Sequence, residues 1–203
     1  RDHHGFWEGG LVFTYALPVR LLNPMGASAL HLCRDAELMQ LFVDCGGDIE
    51  VRDKELATPL HYAAKAGDAE VLRILLDAAP DKHLYVTVKD QYGNTALHYA
   101  AREGHLHIAE VILEKHKNPD GNEASGDDRS KFRYNIDIHD HLSMNNQFGN
   151  TPLYFADYFA SYWKKQQDMT GTVPEAMIEK SKACKEMHDY LVTRGFTVTT
   201  TLT

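Results

Sequence analysis

The sequence predicts an all-α solenoid: stacked pairs of helices joined by β-hairpin loops, about four units long. Three observations predict it. The phrase Thr58-Pro59-Leu60-His61-Tyr62-Ala63-Ala64 returns as Thr95-Ala96-Leu97-His98-Tyr99-Ala100-Ala101, with weaker copies at Ser28-Ala29-Leu30-His31-Leu32-Cys33 and Thr151-Pro152-Leu153-Tyr154-Phe155-Ala156. Each phrase is followed by a second stretch with helical apolar spacing. A turn precedes the later copies, as in Asp90-Gln91-Tyr92-Gly93-Asn94 and Asn146-Gln147-Phe148-Gly149-Asn150. Self-similarity at a period of about 33 residues is the signature of stacked repeats, in which each unit buries its apolar face against its neighbours.

The elements follow in order. Val19 to Ser28 fits a hairpin entering the first unit, and Leu11-Val12-Phe13 fits the end of an earlier second helix. Gly5, Gly9 and Gly10 argue against a long helix before it, and the chain opens on Arg1, as a piece excised from a longer protein would. In the second unit Thr58 caps a helix, Pro59 takes the first helical position and Leu60, Ala63 and Ala64 make its narrow apolar stripe. Gly67 ends that helix, and a second runs from Glu70 to Ala78 on Val71, Leu72, Leu75 and Leu76. The third unit repeats the plan from Thr95 to Gly104, with Ile108-Ala109-Glu110-Val111-Ile112-Leu113 as its second helix.

The spacing between copies locates the irregularities. Ser28 to Thr58 is 30 residues, Thr58 to Thr95 is 37 and Thr95 to Thr151 is 56. The shortfall lies between His31 and Glu37 and predicts a first helix about a turn short. The extra residues near Ala79-Pro80-Asp81-Lys82-His83-Leu84 predict a longer hairpin. The large insertion between His116 and His141 is polar and glycine-bearing and reads as a mobile loop, after which Phe132, Tyr134, Ile136 and Ile138 alternate with polar residues, as a short strand or a segment clamped back onto the stack would. The fourth unit is stretched into helices Pro152 to about Asp168 and Pro174 to about Thr193, the second carrying Met177, Ile178, Ser181, Cys184, Met187, Tyr190 and Leu191 on its apolar face. The resulting division is 1–25 (N-terminal cap or partial unit), 26–52 (shortened unit one), 53–89 (unit two), 90–145 (unit three, with the insertion 117–141), 146–195 (unit four and C-terminal cap) and 196–203 (a frayed Thr-rich tail).

With those residues in view, the chain resembles the ankyrin repeat family. The phrase at 58–64, its variant at 95–101, Gly104-His105 and the Asp90-x-x-Gly93 turn carry the resemblance, which extends with interruptions from about Val19 to about Gly195. It implies that His31, His61 and His98 tie adjacent units by bonding neighbouring loops, with Tyr154 marking the loss of that tie in the last unit. It also implies that the next position faces the concave side: Leu32, Tyr62, Tyr99 and Phe155, extended by Tyr158 and Phe159 and flanked by Lys65, Arg102 and Glu103. Tyrosine and arginine dominate binding energy at many interfaces, so this stripe is a candidate partner surface. The hairpin tips, with Arg52, Lys54, Glu55, Lys89, Gln91, Tyr92, Asn145, Gln147 and Phe148, are a second. The residues expected to meet a partner are Tyr62, Lys65, Tyr92, Tyr99, Arg102, Phe148, Phe155 and Tyr158. Trp163 and Tyr162 read as capping core.

Composition narrows the rest. A net charge of −8 makes nucleic acid a poor partner, and no stretch of 18 apolar residues is present to insert in a membrane. Cys33, Cys45 and Cys184 are odd in number and widely spaced, as free thiols of the cytoplasm or nucleus would be. His105-Leu106-His107 and His139-Asp140-His141 lack a third and fourth ligand at zinc-like spacing, and no nucleophile elbow, phosphate-binding loop or Cys-x-x-Cys is present. No catalytic residue, cofactor or metal is therefore expected. The reading is a monomeric protein-binding module. Its rivals are a regulatory or targeting segment of a larger enzyme, channel or secreted bacterial effector, and, more remotely, a metal-dependent hydrolase built on the two His-x-His pairs.

Overall fold

The computed structural model describes residues 22–117, 144–170 and 174–196. The N-terminal segment 1–21, nearly all of the insertion with His139 and His141, and the last residues 197–203 lie outside them.

Nine α-helices run through the described residues: α1 (Ala29–Leu32), α2 (Ala36–Asp44), α3 (Pro59–Ala66), α4 (Ala69–Ala78), α5 (Lys82–Thr87), α6 (Ala96–Glu103), α7 (Leu106–Lys117), α8 (Pro152–Thr170) and α9 (Glu175–Thr193). The pairs α1/α2, α3/α4, α6/α7 and α8/α9 are the four units. The first helices form one contacting row, α1 on α3, α3 on α6 and α6 on α8, and α2, α4 and α7 form a second. Leu30, Leu60, Leu97 and Leu153, the repeated leucines, are all buried in the shared core. The shortened first unit has a four-residue α1, about one turn, as the missing residues require.

Each unit is entered through the same tight turn. Its first residue is an Asn or Asp whose Oδ1 accepts two backbone N–H bonds: Asn23 from Met25 and Ala27, Asp53 from Glu55 and Ala57, Asp90 from Tyr92 and Asn94, Asn146 from Phe148 and Asn150. The short acceptor replaces the ladder a longer hairpin would need, and among the described residues no strand forms. The fourth turn position is left-handed in every copy: Gly26, Gly93 and Gly149 near φ +78°, and Leu56 at +59°, where a side chain is strained. Backbone bonds join successive tips, from the Lys54 N–H to Met25 O, the Gln91 N–H to Glu55 O and the Gln147 N–H to Tyr92 O.

Three expectations need correction. The residues inserted near 79–84 do not lengthen a hairpin; they fold as α5, capped by Asp81, whose Oδ1 accepts from the Leu84 N–H. The helix forms because Tyr85 and Val86 bury themselves, the Tyr85 hydroxyl donating to Ile49 O at 2.7 Å across to the first unit. Ile178 and Tyr162, assigned to buried faces, are exposed, because α8 and α9 outrun the eight-residue α6 on which they pack. Phe196, placed in the tail, is buried in the core, its N–H bonded to Leu191 O.

Candidate functional site

The surface is built outward from three buried histidines. In each, Nδ1 accepts from the backbone N–H three residues earlier: Ser28 to His31 at 3.0 Å, Thr58 to His61 at 3.1 Å, Thr95 to His98 at 3.1 Å. A nitrogen that accepts carries no proton, so the proton sits on Nε2, which donates to the last carbonyl of the next unit's turn: Ala57 O at 3.1 Å, Asn94 O at 3.2 Å and Asn150 O at 3.1 Å. Each of those carbonyls also closes its own turn, for Asp53, Asp90 and Asn146 respectively. One imidazole thus fixes a helix start, a turn and a unit boundary together. Burial holds all three rings neutral, lowering their pKa below the usual histidine value, to about 4 for His98. In unit four Tyr154 replaces the histidine, and the Thr151 hydroxyl accepts the Tyr154 N–H as an ordinary helix cap.

The aromatic row stands on this ladder. Tyr62 lies edge-on to His31 with ring centroids 5.1 Å apart, Tyr99 to His61 at 5.9 Å and Phe155 to His98 at 5.7 Å. The tyrosines are also tethered to the turns: Tyr62 donates to Asp53 Oδ2 at 2.8 Å and Tyr99 to Asp90 Oδ2 at 2.6 Å. Burial and the facing carboxylate push the Tyr62 hydroxyl up to about 12 and raise that of Tyr99 as well. Each aspartate therefore closes the turn through one oxygen and aims a tyrosine through the other. This bond was not foreseen in the sequence, though a sign of it was there. Tyrosine follows aspartate by nine residues in units two and three, whereas unit one pairs Asn23 with Leu32 and unit four pairs Asn146 with Phe155.

The structure divides the predicted contact residues into two sets. Tyr62, Tyr99 and Phe155 are half-buried on the first helices of their units. Lys65, Arg102 and Tyr158 are exposed on the same helices, at corresponding positions in units two, three and four. Arg102 lies 5.7 Å from the Phe159 ring centroid and pairs with Glu103. Along α8, Tyr154, Tyr158 and Tyr162 stack at 5.9 and 6.3 Å, and Phe155 and Phe159 lie beside them. Tyr92 and Phe148 are exposed at equivalent turn positions. Trp163 is half-buried, with Lys180 Nζ 5.3 Å from its ring centroid.

The histidine pair at the start of α7 does structural work at the other end of α3. His105 Nε2 meets Lys65 O at 3.3 Å, and His107 Nε2 meets Gly67 O at 2.8 Å. Both rings tie unit three to the helix end of unit two. Among the described residues no three histidine, cysteine or acidic side chains gather as a metal site, and no helix is long and apolar enough to cross a membrane.

Comparison with known proteins agrees with this architecture. Residues 25–123 match the family model for ankyrin repeats in three copies. Human protein phosphatase 1 regulatory subunit 27 is 32% identical over 77 residues, 36% of this chain and 50% of that protein. Its mouse counterpart is 36% identical over 64 residues, 30% of this chain and 42% of that protein. The chain thus spans about half the length of the curated relatives it matches. Matched repeats, phrase-bearing helix pairs and a histidine ladder linking consecutive turns lead to one conclusion: residues 25–123 of this chain are ankyrin repeats.

Proposed function

We propose that this chain is a non-catalytic module that binds a partner protein through its inner-helix face and turn tips. Ankyrin repeats are protein-interaction modules, and the relatives are named as regulatory subunits. The observation that carries the reading is the double anchoring of the aromatic row. Tyr62 and Tyr99 are each held by a ring on one side and a carboxylate on the other, so docking freezes few rotamers and little binding energy is lost to ordering. Lys65, Arg102, Tyr158, Tyr92 and Phe148 then supply the exposed contacts. The three described cysteines are free thiols, one of them exposed, which suits a reducing compartment such as the cytoplasm or nucleus.

The relatives' name makes the protein phosphatase 1 catalytic subunit the first partner to test. Immobilised chain is titrated with that purified subunit by surface plasmon resonance, beside the triple variant Tyr92→Ala/Phe148→Ala/Tyr158→Ala. These exposed side chains can be removed without opening the core. Saturable binding weakened at least about tenfold in the triple variant is expected, as loss of one or two hot-spot residues gives. Absence of binding rejects this partner. Binding that the triple variant leaves unchanged rejects the surface.

A further inference from the structure

Each of the four turns lifts one large apolar side chain into water. Met25, Tyr92 and Phe148 are the third residues of turns one, three and four, and they are 54%, 41% and 70% exposed. Turn two carries Glu55 in that slot and presents Leu56, its fourth residue, at 46% exposure. Leu56 sits there against its backbone preference. Its φ of +59° lies in the left-handed region, where the other three turns have glycine, and among the described residues it is the one non-glycine with positive φ. Strain kept in an exposed side chain at a turn apex points to a contact role. Backbone bonds between successive tips, from the Lys54 N–H to Met25 O and onward, hold the four side chains as one ridge.

We infer that this ridge takes an extended, proline-rich segment of a partner protein bearing acidic residues, an inference that rests on the partner-binding role proposed above for the tips. Spacing selects the conformation. The first helices of successive units pack directly on one another, so the tips recur at about 8–10 Å, the separation of packed helices. A polyproline II segment rises about 3.1 Å per residue with three residues per turn, so its same-facing side chains recur at about 9.3 Å. Those of a β-strand recur at about 6.6 Å and fall out of step. Tyr92 and Phe148 supply aromatic surfaces of the kind on which such segments dock. Charge selects the composition. Arg52 and Lys89 hold equivalent positions one residue before the turn aspartates, and Lys54 follows Asp53. Lys54 Nζ and Lys89 Nζ donate to Pro24 O and Asn145 O, one bond each, and among the described residues none of the three cations pairs with a carboxylate. Asp53 and Asp90 are buried and occupied by turn N–H groups and tyrosine hydroxyls. The outward donors therefore find charged acceptors on a partner that carries acidic side chains beside its apolar ones.

The test uses the full-length chain and three fluorescein-labelled peptides: four Leu-Pro-Glu triplets, four Leu-Pro-Lys triplets, and six alternating Leu-Glu pairs. Binding is followed by fluorescence anisotropy for the native chain and for Leu56→Asn, since asparagine tolerates the left-handed backbone. The expected result is saturable binding of the Leu-Pro-Glu peptide, at least about tenfold tighter than either other peptide and at least about tenfold weaker in Leu56→Asn, whose urea midpoint is no lower than that of the native chain. Affinity lost while stability is kept marks Leu56 as a contact. Should Leu56→Asn lower the midpoint, Phe148→Ser, remote from the core by its exposure, carries the same comparison. No saturable binding, equal binding of the Leu-Pro-Lys or alternating peptide, or an affinity indifferent to both substitutions overturns the inference. Capture on phosphatidylserine vesicles that Leu56→Asn abolishes overturns it in favour of a membrane surface. Phosphatase-subunit binding weakened by the triple variant, with no peptide bound, removes this inference and leaves the proposed function standing; peptide binding with no phosphatase-subunit binding supports this inference and rejects only that partner.

Discussion

At the residue scale, the tyrosine–aspartate bond is the feature most directly testable. Asp90 is buried, and its Oδ2 accepts the Tyr99 hydroxyl. Tyr99→Phe leaves that oxygen with the longer bond from Asn94 Nδ2 at 3.4 Å and is expected to cost about 1–2 kcal/mol in urea unfolding. Unit four already pairs phenylalanine with asparagine, so Tyr99→Phe/Asp90→Asn should cost clearly less than the sum of the single changes. Strict additivity would show that the two do not act together. His98 provides the pH signature. Its folded pKa, depressed by burial to about 4, lies below the ordinary 6.5, so the unfolded chain binds the extra proton first. The stability this contributes is present above pH 6.5 and is lost as pH falls toward 4, about 3 kcal/mol in all. Urea midpoints measured from pH 7.5 to 4.5 should fall with a slope that His98→Gln reduces; an unchanged slope would contradict a buried neutral ring. The histidine ladder was readable in advance because the repeated phrase aligned its members. The tyrosine tether was not, because its two ends belong to different local motifs, turn and helix, and only their joint loss in units one and four connects them.

At the element scale, α5 shows where periodicity stops informing. The run Lys82-His83-Leu84-Tyr85-Val86-Thr87 is too short to display a helical period, and β-branched Val86 and Thr87 favour an extended reading. What decides its form is tertiary: a place beneath α4, α6 and α7 for Tyr85 and Val86, and a free carbonyl at Ile49 for the hydroxyl. The Asp81 cap three residues before Leu84 was the one local sign. Tyr85→Phe should therefore cost about 1–2 kcal/mol by leaving Ile49 O without its buried donor, while keeping the helix. Thermal melts of the two chains by circular dichroism check both halves of that statement. The paired helices themselves were legible, since leucine and alanine spacing sets them locally. So were the long helices α8 and α9, although which of their faces emerge into water depends on how far they outrun α6.

At the scale of the whole molecule, the fourth unit docks on the third by a close backbone approach. A Cβ added at Gly104, whose φ is +77°, would meet Cys184 N at 2.9 Å and Ala183 C at 3.0 Å, both backbone atoms of α9. Around this contact the Cys184 thiol lies 3.7 Å from Arg102 O, and Lys180 reaches Glu103. Gly46 has the same conformation, φ +78°, and nothing within 4 Å of the corresponding Cβ. The two glycines thus separate backbone strain from unit docking. Gly46→Ala should cost only the left-handed penalty of about 1–2 kcal/mol. Gly104→Ala should add roughly 1–3 kcal/mol for pushing α9 away, because backbone atoms cannot rotate aside as a side chain would. Such stacks are stabilised by neighbour interfaces, so the added cost should appear at one end first. Amide hydrogen exchange is expected to accelerate in α8 and α9 of Gly104→Ala while α3 and α4 keep wild-type protection, whereas Gly46→Ala leaves α9 unaffected. Equal destabilisation by the two changes, or uniform acceleration throughout, would mean that α9 does not dock on the third unit through Gly104.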